Sequence, residues 1–213
     1  MTIPAELMIE TDEIMVGHGY VTTPRSRVNV CHDDPSLGAS VPEPQSIESP
    51  KGFPRYENVH NGQTYKTPPD GQLMSAGIAP YRPLDGPVSP SGRPWPAMNV
   101  TPGGTIRMSW WLTARHKTEK WHYYITKDNW DQSKPLSRDM LEPQPLCEIH
   151  WLHGPTKHEF WHAPMPIQDV QHWIKLPHKA GRHIIYAVWD VADTHNGFYQ
   201  GIDVNFVAPE GRA

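Results

Sequence analysis

Thirteen histidines and two cysteines are the side chains in this chain best suited to hold a metal ion. Imidazole binds zinc, copper, iron and nickel well, and with an ordinary pKa near 6.5 it is largely neutral at pH 7. Most histidines are nonetheless plain polar surface residues, so number alone selects none. His18 opens a strand-like segment, HGYV. His116 sits in a charged turn between Arg115 and Lys117. Cys31 and Cys147 could form one disulfide or remain two thiols, because a pair in sequence does not show that the two meet. The stretch Asp193-Thr194-His195-Asn196-Gly197 has the composition of a turn, where short polar side chains bond their own backbone.

The elements that must position these residues are strands. Residues 18–30 read as a first strand followed by a turn at Pro24. Residues 105–113 alternate, with Ile106, Met108, Trp110 and Leu112 on one face. Residues 121–126 form a second aromatic strand, and 170–176 alternate through Val170, His172, Ile174 and Leu176. Residues 183–189 have the composition of a buried strand, with Trp189 in its core, and 198–206 alternate through Phe198, Gln200, Ile202, Val204 and Phe206. Short strands at this spacing, separated by Gly and Pro, predict an all-β sandwich. A short helical piece is expected near 135–142 with Ser133 as its cap. Residues 31–104 are rich in Pro and Gly without clean periodicity. A stretch of that length is usually functional or disordered, and Phe53, Tyr56, Tyr81 and Trp95 within it favour an ordered, loop-rich insertion.

Composition agrees. The 213 residues fit one domain of ordinary size, and 24 prolines disfavour long helices. Nine tryptophans suit a packed sandwich or a surface that meets sugar rings. The formal net charge is -4, without a basic stripe, which argues against nucleic acid as a partner. No apolar run approaches the roughly 20 residues that span a bilayer, so no membrane partner is expected. No internal repeat and no second domain are evident.

Several segments together resemble one family. HGYV at 18–21, EPQS-IE at 43–48, KGFP at 51–54, TARH at 113–116, YYITKDNWD at 123–131 and AVWDVADTHNGFYQGIDV at 187–204 are similar to the lytic polysaccharide monooxygenases of auxiliary activity family 10, the chitin-binding protein type. The resemblance implies a fibronectin- or immunoglobulin-like β-sandwich whose long insertion helps form a flat substrate face. It implies a copper ion held by the ring and free α-amine of His18 and by the ring of His116. Nitrogen donors suit Cu(II), which heads the divalent affinity order. By the same resemblance Phe198 shields one side of the copper and Ala114 crowds the other. Glu48 stands as an acid near the metal, and Glu43, Glu48, Asp193 and Asn196 face the substrate. The residue before the EPQS block is often aromatic in the family; here it is Pro42. Cys31 and Cys147 each match one half of a family disulfide.

The implied activity is oxidative cleavage of chitin at C1 by a secreted monomer using peroxide or oxygen and an external electron donor, with cellulose as the other substrate considered. The expected organisation is a leader over 1–17 that is removed, a copper monooxygenase domain over 18–207 and a short tail over 208–213. Residues 1–17 carry Glu6, Glu10, Asp12 and Glu13 and no basic residue, unlike an export signal. While they are attached, the His18 nitrogen is an amide. The alternative reading is therefore a chitin-binding module without a working copper site.

Overall fold

Proline and glycine divide the chain into short strands, and their alternation decides which faces are buried. The computed structural model describes residues 18–113, 118–150, 169–192 and 194–208. The leader 1–17, Ala114, His116 and Asp193 lie outside the described residues, as does the tail beyond Ala208.

Strand β1 (Gly19–Thr23) is followed by the seven-residue helix α1 (Arg27–Asp33). The insertion then carries the short strand β2 (Glu48–Pro50), the hairpin β3 (Glu57–His60) and β4 (Gln63–Lys66), and β5 (Met98–Val100). The second half supplies β6 (Thr105–Leu112), β7 (Thr118–Ile125), β8 (Cys147–His150), β9 (Asp169–Lys175), β10 (Gly181–Val191) and β11 (Asn196–Phe206). One sheet has the order β1-β6-β9; the other runs β2-β11-β10-β7-β8, with β5 added parallel to β11. The two form the expected β-sandwich.

Between the sheets lies the first core. Val21, Ile106, Met108, Trp110 and Leu112 from one sheet meet Trp121, Tyr123, Ile185, Ala187, Trp189, Phe198 and Ile202 from the other. The face predicted for β6 is the buried one. The Trp110 indole N–H donates to the Tyr123 hydroxyl at 2.9 Å, and that hydroxyl lies 2.6 Å from Nδ1 of buried His172, so this polar chain is satisfied inside the core.

The second sheet is covered on its other side as well. The insertion packs Val28, Leu37, Ile47, Phe53, Leu73, Tyr81, Leu84 and Trp95 against Tyr124, Tyr186, Val188 and Tyr199, making a second core. This corrects the one-sided pattern expected for 198–206: β11 is buried on both faces, because the loops of 31–104 roof it. The insertion is ordered, as expected, but Tyr56 is exposed rather than packed into it. Gly201 permits the roof to sit low, since any Cβ there would collide with the Met74 side chain. The roof is also bolted by charge. Buried Arg27 on α1 donates to both carboxylate oxygens of buried Asp203 on β11 (2.7 and 3.0 Å) and to the carbonyls of Leu84 and Gly86.

Three local expectations change. Helix α1 stands where the first strand and turn were expected to run on to residue 30; Ser26 caps it by accepting from the Asn29 N–H. The piece near 135–142 is only a three-residue 3-10 turn, Arg138–Met140, preceded by Ser137. Ser133 does not cap it, because its hydroxyl bonds the Asp131 carboxylate instead. Cys31 on α1 and Cys147 on β8 are separate thiols, the first buried and the second half-buried. Burial raises both thiol pKa values.

Candidate functional site

His18 directly precedes β1, and the pairing of β1 with the end of β6 fixes its backbone. The Thr113 N–H donates to the His18 carbonyl at 2.9 Å, and the Thr113 hydroxyl adds a bond at 3.2 Å. The sheet thus holds His18 beside the residue from which the TARH block departs. The His18 ring, half-buried, meets the Phe198 ring edge-on, with centroids 6.3 Å apart at 80°.

Phe198 is fully buried and stacks on Trp189 at 5.0 Å, which stacks in turn on Trp121 at 6.1 Å. The floor under His18 is therefore core. The partner of Phe198 in register on the neighbouring strand is Glu48. Two residues earlier on β11, Asn196 donates through Nδ2 to Glu48 Oε2 at 3.3 Å. The short strand β2 carries Glu48 because its ends are tied down. Tyr199 N–H donates to the Ile47 carbonyl, Lys51 N–H to the His195 carbonyl, and the Tyr199 hydroxyl to the Pro50 carbonyl at 2.7 Å. Gly52, at φ +113°, then turns the chain away, and a Cβ there would overlap the Asn58 side chain.

His18, Glu48, Asn196 and Phe198 are thus brought together at one end of the sandwich. Glu43 is exposed and lies five residues upstream of Glu48, before the 3-10 turn Pro44–Ser46. Its carboxylate accepts from Gln45 Nε2, and its carbonyl accepts from the Tyr81 hydroxyl at 2.8 Å. Pro42 beside it is exposed. No described contact joins Glu43 to Glu48 or Asn196. His116, Asp193 and Ala114 lie outside the described residues.

The sequence reading passed over a neighbouring cluster. His195, next to Asn196, has the Tyr65 ring stacked on it at 4.8 Å and the His60 ring at 4.5 Å, both from the β3–β4 hairpin. The available signal was Asn61-Gly62 between two strand-like runs. Both residues have positive φ, as a two-residue hairpin turn requires.

The donor chemistry can be tested against a metal. Among the described residues no three His, Cys, Asp or Glu side chains form a metal-binding group. A site at His18 must then draw on its ring, on an amine at its own nitrogen, and on a further ligand from outside the described residues. Two imidazoles and an amine form an all-nitrogen set that fits copper. Beside the His18 ring stands the apolar Phe198 ring, and Glu48 is paired with Phe198 on the next strand.

Comparison with known proteins bears on this arrangement. The family model described as lytic polysaccharide mono-oxygenase, cellulose-degrading, matches residues 18–204. GlcNAc-binding protein A of Shewanella oneidensis is 38% identical over 192 residues, which are 89% of this chain and 35% of that protein, so this chain spans about a third of that relative's length. The lytic chitin monooxygenase of Enterococcus faecalis is 36% identical over 194 residues, covering 88% of this chain and 84% of that protein. Among solved structures, an AA10 lytic polysaccharide monooxygenase from Streptomyces lividans superposes with a TM-score of 0.73 at 36% identity, over 89% of this chain and all of that one. A Bacillus amyloliquefaciens CBM33 protein in complex with Cu(I) superposes with a TM-score of 0.67 at 33% identity, over 89% of this chain and 100% of the other. A family match over nearly the whole described chain, together with relatives and folds at this level of identity, shows that this chain belongs to the lytic polysaccharide monooxygenases of auxiliary activity family 10.

Proposed function

We propose that this chain is a copper-dependent monooxygenase that cleaves chitin by oxidation at C1, once residues 1–17 have been removed. The observation that carries the proposal is the seating of His18: backbone held by Thr113, ring against buried Phe198, with the Glu48–Asn196 pair alongside. Cleavage after Gly17 converts the His18 nitrogen from an amide into an amine, the form with a lone pair to give. His18, through ring and amine, and His116, through its ring, then hold copper, which supplies one-electron redox chemistry at the surface.

The chain's own residues do the rest. Phe198 sets a dry ring against the His18 ring, and by the family resemblance Ala114 would crowd the bound ion. Glu48, oriented by Asn196, is an acceptor able to hold or pass a proton next to the reacting sugar. Glu43, Asp193 and Asn196 offer hydrogen bonds to the polysaccharide, with Glu48 shared between that face and the metal. With peroxide as co-substrate, one oxygen atom enters the C1–H bond and the other leaves as water. The glycosidic bond then breaks, the neighbouring sugar leaving as an alcohol and C1 becoming a lactone, which water opens to an aldonic-acid end. Export, activity as a monomer and an external electron donor belong to this reading, and cellulose is the competing substrate.

The test is a chain prepared to start at His18. Sub-micromolar copper binding, a Cu(II) resonance signal and oxidised chitooligosaccharides released with reductant and peroxide are expected. His116→Ala abolishes all three and leaves the fold intact. Weak copper binding and no oxidised product from the His18-started chain would refute it. The second reading, a chitin-binding module without copper, is favoured by Pro42 and by the amide at His18 in the uncut chain. It predicts retained chitin binding with no oxidised product.

A further inference from the structure

Lys51 joins three elements at the polar end of the sandwich. It follows β2 directly, and its backbone N–H donates to the His195 carbonyl at 2.8 Å. Its ammonium donates to the Glu119 carboxylate at 2.8 Å and to the Val191 carbonyl. The end of β2, the end of β10 and the start of β7 thus share one residue.

The grip falls on an irregularity. Strands β10 and β7 pair in step from Ile185↔Ile125 to Asp190↔Lys120, and then Val191 pairs with Thr118. Glu119 is therefore one residue too many on β7, a β-bulge. A bulge leaves its extra residue out of the ladder and bends the strand, and bulges gather where a segment has to be re-aimed beside a site. His116 precedes Thr118 by two residues, so its segment enters the sheet at this bent end. Lys51 holds both sides of the bulge: the side chain of the extra residue and the carbonyl of the residue across from its flank. Thr118, the flank itself, is buried and accepts the Trp189 indole N–H at 3.0 Å. The bulge is consequently fixed to the core through Thr118 and to β2 through Lys51. The Lys51 and Glu119 side chains are 25% and 44% exposed, and an ion pair this wet adds little stability of its own. What such a contact contributes is placement.

We propose that Lys51 is a positioning residue for the metal site. Pinning the bulge from the strand that carries Glu48, it sets where the segment bearing His116 leaves β7, and so holds the second histidine in step with His18 and Glu48. The inference rests on the copper reading above. It adds a residue whose described contacts are all to the protein itself.

The experiment measures copper binding, by calorimetry and by the Cu(II) resonance signal, for chains started at His18 with Lys51 intact, Lys51→Met, Lys51→Arg and Glu119→Gln. Groups that orient metal ligands change affinity by about 10–100-fold when removed. Lys51→Met should accordingly bind copper at least about tenfold more weakly, with an altered Cu(II) signal, while Tm moves by no more than about 4 °C. Lys51→Arg keeps the charge and should recover most of the affinity. Glu119→Gln should weaken binding in the same direction, and adding it to Lys51→Met should cost little more, because both break one contact. Parental copper affinity and signal in Lys51→Met and Glu119→Gln overturn the inference alone. So does a fall in Tm with copper affinity unchanged wherever the variant is folded, since that makes Lys51 a support of the fold only. If Lys51→Met does not fold, Glu119→Gln decides by the same criterion. A parent chain that binds no copper overturns the inference and the function proposed above together.

Discussion

Phe198 is asked to do two things at once, and one substitution separates them. Its ring is fully buried, stacked on Trp189 and edge-on to His18. Phe198→Ala removes a whole core ring, and losses of this kind cost about 3–5 kcal/mol. For a domain of this size each kcal/mol lowers the midpoint by about 2–4 °C, so Tm should fall by roughly 6–20 °C. Phe198→Leu keeps most of the volume and should cost less than about 1.5 kcal/mol. Urea unfolding followed by tryptophan fluorescence reads both values, with an unchanged slope confirming that stability alone has moved. Copper binding by the His18-started chain is then compared at temperatures where each variant is folded. The leucine variant should bind copper while the alanine variant, stripped of the wall beside His18, binds it more weakly. A loss of less than about 1 kcal/mol in Phe198→Ala would refute the reasoning, since the ring could not then be part of the core.

Two further outcomes follow from buried charge. Burial holds His172 near a pKa of about 4, so it is neutral in the folded chain while its unfolded counterpart takes a proton near 6.5. A base depressed by folding adds stability above pH 6.5 and loses it as pH falls toward 4, about 3 kcal/mol in all. Burial also lowers His183 and acts in the same direction. Tm should therefore fall between pH 6.5 and 5, where carboxylates remain ionised, and His172→Gln should flatten that slope; a flat wild-type profile would contradict it. The second outcome concerns Asp203, whose burial pushes its pKa up but is outweighed by Arg27 and then Arg182, leaving it lowered. Arg27→Met leaves that carboxylate with Arg182 alone at 2.7 Å and should cost about 3 kcal/mol in urea unfolding. Adding Asp203→Leu should recover much of the loss, and no recovery would show that packing, not charge, is what Arg27 contributes.

Period-2 alternation located β6, β9 and β11, and aromatic and apolar composition located β7 and β10, because each keeps at least one face against the sandwich core, and that constraint is written locally. The second burial of β11 was not legible, because Tyr199 and Asp203 are covered by residues more than a hundred positions away. Helix α1 was missed since its seven residues include two β-branched valines and no amphipathic repeat long enough to read. Only the Ser26 cap marks it. At the site, His18, Glu48, Asn196 and Phe198 came from the resemblance, and the structure brings these four to one end. No rule of spacing could have paired Glu48 with Asn196, 148 positions apart. The hairpin that brings Tyr65 to His195 was announced by Asn61-Gly62, but which strand edge it would lean on was not.

Successive residues of β11 report to different neighbours. Phe198 and Ile202 answer to the sandwich, while Tyr199 and Asp203 answer to the roof made by the insertion. The strand is thus a shared wall between two compartments with separate packing rules. Loop segments of 31–104 outside Glu43–Lys51 can be exchanged, lengthened or recharged provided the odd-numbered side of that wall stays filled, and Phe198 beside His18 keeps its own neighbours. A library confined to the hairpin and its flanking loops should consequently diversify what the face recognises without retuning the histidine platform.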